Sequence, residues 1–197
     1  MMLATLLKNH TLILASGSPR RKQFFEEMGL NFEIRLKPVE ETYPPNLKGA
    51  EISDYLSKLK ASAFKGHLKP MEILITSDTV VWYNDTSLAK ASDANEAFEM
   101  ISQLSGDWHE VITSVCFTTK EKQSVKNSIT KVKFKDLSDA EILYYIDNYA
   151  PFDKAGAYGI QEWIGLIGIE QIQGSYTNVV GLPTQIVYET LQNMVDN

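Results

Sequence analysis

The spacing of apolar residues changes several times along the chain. These changes predict that strands and helices alternate. An apolar run at 11–15 predicts a buried first strand. Ser18 then suits a helix N-cap, Pro19 suits the first helical position, and Gly29 is expected to end that helix. A short strand is expected at 31–36. This order of elements favours an α/β fold.

The middle of the chain predicts a helix at 52–64 and a central strand at 72–81. Polar residues at 76–79 are expected to interrupt this strand, because its other positions are almost all apolar. Ser92 is expected to cap the next helix, which ends at Leu104.

The second half of the chain predicts a hairpin from strands at 110–118 and 128–134, where apolar and polar residues alternate. Ser138 opens a capping-box sequence and therefore a further helix. Short strands and loops follow, and a C-terminal helix is expected from about Pro183. No repeat or linker divides the chain, so we expect one domain over 1–197 with two closely packed lobes.

Composition and charge restrict the class of protein. The chain has 197 residues and a formal net charge of −6, which argues against a general binder of nucleic acid or anionic membranes. A single nucleotide in a small basic pocket is still compatible with this charge. Cys116 is the only cysteine, so no intrachain disulfide is expected. No signal peptide or membrane-spanning run is recognised, so we expect a cytoplasmic protein.

Several familiar catalytic motifs are missing from the sequence. It has no P-loop, no dinucleotide-binding glycine motif, no Gly-x-Ser-x-Gly elbow, and no cysteine and histidine cluster for zinc. The polar residues that remain are carboxylates, lysines, arginines and serines. Such a set matches magnesium-assisted phosphoryl chemistry, in which oxygen ligands hold the metal and cations hold the phosphates.

The junction between the first strand and the first helix predicts an anion site. Ser16, Gly17 and Ser18 lie where backbone N–H groups at a helix N-terminus are free to bind an anion. Arg20 and Arg21 follow at once, although the positive end of a helix dipole disfavours cations. A phosphate between them would explain this placement, so the anion interpretation is favoured over a simple surface position.

Acidic and basic residues elsewhere have a structural and a functional interpretation. Asp78 lies in an apolar strand, where it is either a capping or turn residue at a strand end or a functional residue that binds a metal or acts as a base for water. Glu41 and the lysines Lys60 and Lys90 are by default exposed surface charges. Gln161 ends a stretch rich in small residues, and it is either a surface side chain or an amide that contacts a nucleobase edge.

Eight ordered blocks of this sequence resemble the Maf family of nucleoside triphosphate pyrophosphatases, which is named for septum formation. The resemblance covers almost the whole chain. The blocks begin with Ala-Ser-Gly-Ser-Pro-Arg-Arg at 15–21, Val-Glu-Glu-Thr at 39–42, Leu-Lys-Ala at 59–61 and Ser-Asp-Thr-Val-Val at 77–81. They continue with Leu-Ala-Lys at 88–90, Leu-Ser-Gly at 104–106 with His109, Asp-Lys-Ala-Gly-Ala-Tyr-Gly-Ile-Gln at 153–161 and Gly-Ser-Tyr-Thr-Asn-Val-Val-Gly-Leu-Pro at 174–183.

The resemblance implies a mixed, twisted β-sheet flanked by helices, with two lobes around a cleft as in the inosine triphosphatases. It implies an enzyme that cleaves nucleotides between the α and β phosphates, depends on a divalent cation, Mg²⁺ or Mn²⁺, and forms a homodimer. Asp78 matches the family's proton acceptor, and Glu41 matches an acid associated with the metal and the catalytic water. Six residues match family positions that hold the triphosphate: Ser16, Ser18, Arg20, Arg21, Lys60 and Lys90. Three residues match family positions linked to substrate choice: Arg20, Thr79 and Gln161.

The late motif resembles the subgroup that acts on dTTP and UTP rather than the one that prefers 7-methyl-GTP. The resemblance also implies a house-cleaning role in nucleotide pools and a link to septum formation. Departures from the family pattern occur at Ala91, where proline is usual, and at Glu162 and Trp163, where glycine is frequent. Two alternatives stay open: a regulatory nucleotide-binding module in cell division, and a pyrophosphatase for modified purine nucleotides.

Overall fold

A computed structural model describes residues 2–195, and within them seven strands form one mixed sheet. The strand order is β2-β1-β3-β5-β6-β7, and β4 pairs with β3 beside this path. The expected α/β fold with a mixed sheet is therefore confirmed. The strands are β1 (Thr11–Leu14), β2 (Phe32–Ile34), β3 (Glu72–Tyr83), β4 (Thr86–Leu88), β5 (Trp108–Thr118), β6 (Gln123–Phe134) and β7 (Ile169–Gln173).

Helices cover the sheet, and the larger ones follow the amphipathic segments of the sequence. Their apolar faces form the buried clusters of the core, in which α4 and α5 pack on one region of the sheet and α1, α2 and α8 on another. The helices are α1 (Leu3–Leu6), α2 (Pro19–Glu27), α3 (Ala50–Ser62), α4 (Ala94–Leu104), α5 (Asp139–Tyr149), α6 (Trp163–Gly168), α7 (Tyr176–Val180) and α8 (Thr184–Val195). Over the described part of the chain, none of them combines the length and apolar character needed to cross a bilayer.

The pairing of β3 leaves part of its edge open. On one side β3 runs antiparallel to β5 from Leu74 to Trp82. On the other side the parallel strand β1 ends opposite Ile75, and β4 pairs with β3 only from Val81 onward. Between these two points no strand of the described residues pairs with that edge. The middle of β3 therefore borders a gap in the sheet, which the chain from β1 enters as it turns into α2.

The expected interruption of the central strand at 76–79 is wrong. β3 is continuous over 12 residues, because its backbone is paired with β5 throughout this stretch. Polar side chains are accommodated there by partners on other elements: the hydroxyl of Thr76 donates to the carbonyl of Ser57 at 2.7 Å.

Three further local expectations need correction. The N-cap of α4 is Asp93 instead of Ser92, since the Asp93 carboxylate accepts from the first free N–H groups of the helix. Strand β6 begins at Gln123, which lengthens the hairpin because its register with β5 continues almost to the turn. The short helices α1, α6 and α7 were not expected, because each has too few residues for a clear helical period.

Candidate active site

The gap beside β3 opens into a cavity of about 1020 Å³, a volume at the upper end of the range for ligand sites. The N-terminus of α2, the segment after β2, one face of α3, the middle of β3 and the segment at 153–161 all contribute to its wall. The structure brings every site residue predicted from the sequence to this wall: Ser16, Ser18, Arg20, Arg21, Glu41, Lys60, Asp78, Thr79, Lys90 and Gln161.

The two predicted acids converge on one lysine. Asp78 extends from the open stretch of β3, and its side chain is 9% exposed. Lys60 extends from the last turn of α3, and its ammonium lies 2.7 Å from Asp78 Oδ1 and 3.1 Å from Glu41 Oε2. An unpaired carboxylate at such a buried position would be costly, so Lys60 stabilises the charge of Asp78. The arrangement holds two carboxylates around one cationic position in the cavity wall.

Arg21 is bound to the protein in a way that the sequence did not indicate. Its Nε donates to the Gly181 carbonyl at 2.8 Å, and Nη1 donates to the Ser77 carbonyl at 2.9 Å. Nη1 also donates to Ser16 Oγ at 3.3 Å, and Nη2 donates to Thr79 Oγ1 at 3.1 Å. A guanidinium has five N–H donors, so these four bonds leave one for a ligand. Desolvation lowers the pKa of Arg21, while the nearby Asp78 charge opposes this effect.

Arg20 faces the cavity with more of its donors free. Its Nη1 contacts Asp153 Oδ2 at 3.1 Å, and its side chain is 25% exposed. Ser18 caps α2 by accepting from the Arg21 N–H at 3.5 Å, as the sequence predicted. Ser16 Oγ accepts from the Ser18 N–H at 3.2 Å and so shapes the loop before the helix. Pro19 has no N–H, and the N–H groups of Ser18 and Arg21 are engaged, so the first turn of α2 leaves the Arg20 N–H beside the cavity together with the Arg20 side chain.

The hydroxyl of Thr79 is engaged within the protein. It accepts from Arg21 and lies 2.9 Å from the hydroxyl of Thr113. By contrast, Lys90 and Gln161 are exposed at the cavity wall, and neither side chain has a hydrogen bond or ion pair with any described residue. These two side chains are therefore available to a bound molecule.

Two sets of contacts near the cavity were missed by reasoning from the sequence, one around Lys154 and one between His109 and Tyr158. Lys154 is almost fully buried between Asp153 and Glu162, with its ammonium 2.7 Å and 3.0 Å from their carboxylate oxygens. His109 Nε2 lies 2.7 Å from the hydroxyl of Tyr158, which also lines the cavity. Burial lowers the pKa of His109 to about 4, although Asp107 opposes the shift. The only sequence signal for these contacts was that all of the residues lie in or beside the blocks that resemble the Maf family.

Several known proteins are similar to this chain in sequence. The family model described as Maf-like protein matches residues 11–194. A relative from Flavobacterium johnsoniae, named dTTP/UTP pyrophosphatase, is 58% identical over 194 residues, which cover 98% of this chain and 100% of that protein. A relative of the same name from Bacteroides fragilis is 45% identical over 194 residues, again 98% of this chain and 100% of that protein.

Similarity to solved structures is much lower. The Staphylococcus aureus Ham1 protein is 14% identical and has a TM-score of 0.45, over 64% of this chain and 72% of that chain. The family model, by contrast, extends from the first strand to the last helix, and the two sequence relatives match along their full lengths. On the strength of these sequence matches, the chain belongs to the Maf family.

Proposed function

We propose that this protein is a nucleoside triphosphate pyrophosphatase that hydrolyses dTTP and UTP between the α and β phosphates. The products are the nucleoside monophosphate and pyrophosphate. The observation that carries the proposal is the cluster of Asp78, Glu41 and Lys60 inside a cavity that also exposes cationic side chains. The shared name of relatives that are 45% to 58% identical over nearly the whole chain supports the same activity and substrates.

The triphosphate is held by cations at the cavity wall. The side chains of Arg20 and Lys90 line the cavity, and the Arg20 N–H at the N-terminus of α2 adds one backbone donor. Arg21 contributes its charge and its one remaining N–H, but its main effect is to fix α2 against β3. These groups neutralise the charge that gathers on pyrophosphate as it leaves, which lowers the barrier to its release.

Asp78 is the proton acceptor in this scheme. Its carboxylate lies at the cavity wall, where it takes a proton from the water that attacks the α phosphorus. Lys60 holds that carboxylate in a fixed orientation through the 2.7 Å contact. Glu41, whose carboxylate lies 3.1 Å from the same ammonium, orients the same water.

A divalent cation, Mg²⁺ or Mn²⁺, fits the donor set that Asp78 and Glu41 provide. Their oxygens already converge on one cationic group, and carboxylate oxygens are the ligands these metals prefer. The described residues include no cluster of three or more metal-binding side chains. This suits Mg²⁺, which binds through one or two carboxylates and takes its other ligands from phosphates and water. When bound, such a cation supplies charge stabilisation on the phosphates.

The test of the catalytic assignment is Asp78→Asn, with release of pyrophosphate from dTTP measured under multiple turnover. Asparagine can still accept from Lys60, but it cannot take a proton, so kcat is expected to fall by about two or more orders of magnitude. Asp139→Asn, in the exposed first turn of α5, is the matched control and should keep the parent rate. A parent rate in Asp78→Asn would refute the assignment.

The same assay separates the alternative functions. A nucleotide-binding module for cell division would show no multiple turnover, because binding requires cations but no proton acceptor. A pyrophosphatase for modified purine nucleotides would prefer those nucleotides when a panel of triphosphates is compared. A homodimer, a cytoplasmic location and a single domain of two lobes stay predictions beside this proposal.

A further inference from the structure

A line of polar contacts connects the phosphate side of the cavity to the segment that carries Gln161. It begins where Arg20 contacts Asp153 and continues to the ammonium of Lys154. The Lys154 side chain is only 9% exposed, and its second partner is Glu162 Oε1 at 3.0 Å. Two carboxylates thus hold the buried ammonium of Lys154, and its charge would lack a partner among the described residues only if both were lost.

Glu162 continues this line into the backbone of its own segment. Its other carboxylate oxygen accepts a short hydrogen bond from the hydroxyl of Tyr145. That hydroxyl in turn accepts from the Gly159 N–H at 3.0 Å, and the Glu162 N–H donates to the Gly159 carbonyl at 3.0 Å. The N–H and the carbonyl of Gly159 are therefore both hydrogen-bonded. Burial, aided by Glu162, raises the pKa of Tyr145, so its hydroxyl stays protonated and can donate.

Gly159 also shows how closely the side chains of this segment pack. A Cβ atom at this position would lie 2.9 Å from Glu162 Cδ and 3.0 Å from Gln161 Nε2. The amide of Gln161 and the carboxylate of Glu162 thus cover the same glycine. The Gln161 side chain has no hydrogen-bond partner among the described residues, so the neighbouring Glu162 carboxylate can influence the direction of its amide.

We propose that Glu162, together with Tyr145 and Lys154, is a positioning residue for base selection. Its carboxylate favours the orientation in which the NH₂ group of the Gln161 amide faces the negative charge and the amide oxygen faces the cavity. An amide oxygen accepts a hydrogen bond, so it matches the N3–H that uracil and thymine share. Cytosine has an unprotonated N3 at the same place. This nitrogen is an acceptor, as is the amide oxygen, so the two atoms cannot form a hydrogen bond.

This inference rests on the proposed function and concerns discrimination between pyrimidines of the same size. The test compares kcat/KM for dTTP and dCTP in the parent, Tyr145→Phe and Glu162→Gln. Both changes are expected to lower the dTTP-to-dCTP ratio by about tenfold, the size of one lost buried hydrogen bond. Inhibition by inorganic pyrophosphate should stay within about twofold of the parent. Tyr144→Phe is the matched control, because this exposed neighbouring tyrosine makes no hydroxyl bond with described residues.

An equal loss of activity with both nucleotides would indicate a purely structural role and overturn the inference, as would an unchanged ratio in both variants. If one variant does not fold, the other decides, since the two changes remove different atoms of the same contact. A parent protein that does not hydrolyse dTTP would remove the proposed function and this inference together. If the parent prefers dTTP over dCTP and both variants keep the same preference, only the role of Glu162 is refuted.

Discussion

Arg21 and Arg20 are adjacent arginines at the same helix terminus, but the structure gives them different surroundings. Replacement of Arg21 by lysine keeps the charge but places all the donors on one atom. Lysine therefore cannot reach the carbonyls of Ser77 and Gly181 together with the hydroxyl of Thr79. At least two buried acceptors lose a donor, at a cost of about 1–3 kcal/mol each.

The expected destabilisation of Arg21→Lys is therefore about 2–6 kcal/mol. In a protein of this size each kcal/mol corresponds to about 2–4 °C, so Tm should fall by about 4–24 °C. Arg20→Lys is the matched control, because it disturbs one ion pair with Asp153, whose side chain is 58% exposed. Such a pair contributes about 0–1 kcal/mol, so Tm should change by no more than about 4 °C. Thermal unfolding followed by circular dichroism measures both variants. Equal shifts in Tm would refute the conclusion that Arg21 is mainly bound to the protein.

Three further outcomes are expected. The folded-state pKa of His109, about 4, lies below its ordinary value of 6.5, so the unfolded state binds more protons and stability falls as the pH drops through this interval. Urea unfolding should show the parent losing about 2 kcal/mol more than His109→Gln between pH 7 and pH 5, and equal losses would contradict this cause. Gly159→Ala should reduce the preference for dTTP over other bases in a substrate panel, because its Cβ would press on Gln161 and Glu162. An unaltered panel would show that this contact is unimportant. Lys90→Met should raise the KM for dTTP about tenfold without lowering Tm, since Lys90 has no side-chain partner among the described residues. A lower Tm with an unchanged KM would show that Lys90 stabilises the fold and does not bind the substrate.

The junction between β1 and α2 could be predicted because local sequence signals are strong there. Ser16, Gly17 and Ser18 follow the strand, Ser18 caps the helix that begins with Pro19, and the structure has this junction at the cavity wall. The resemblance supplied the more distant members, such as Lys60 and Lys90. The structure places them on the wall of the same cavity, and their roles stay predictions.

The partners of these residues could not be predicted, because they depend on contacts between distant parts of the chain. The local sequence is compatible with a turn at Asp78, but pairing with β5 keeps this residue inside a continuous strand. The four protein acceptors of Arg21 come from three separate regions of the sequence. Likewise, the bond between Tyr145 and Glu162 joins residues that are 17 positions apart. Local periodicity carries no information about such pairs.

Hydrolysis of dTTP in water enriched in oxygen-18 is the most direct test of the chemistry proposed for this cavity. Mass spectrometry of the products shows which phosphorus the water attacks. If Asp78 accepts the proton of a water that attacks the α phosphorus, the label should appear in dTMP and not in pyrophosphate. Label in pyrophosphate, or release of inorganic phosphate with dTDP, would contradict that mechanism.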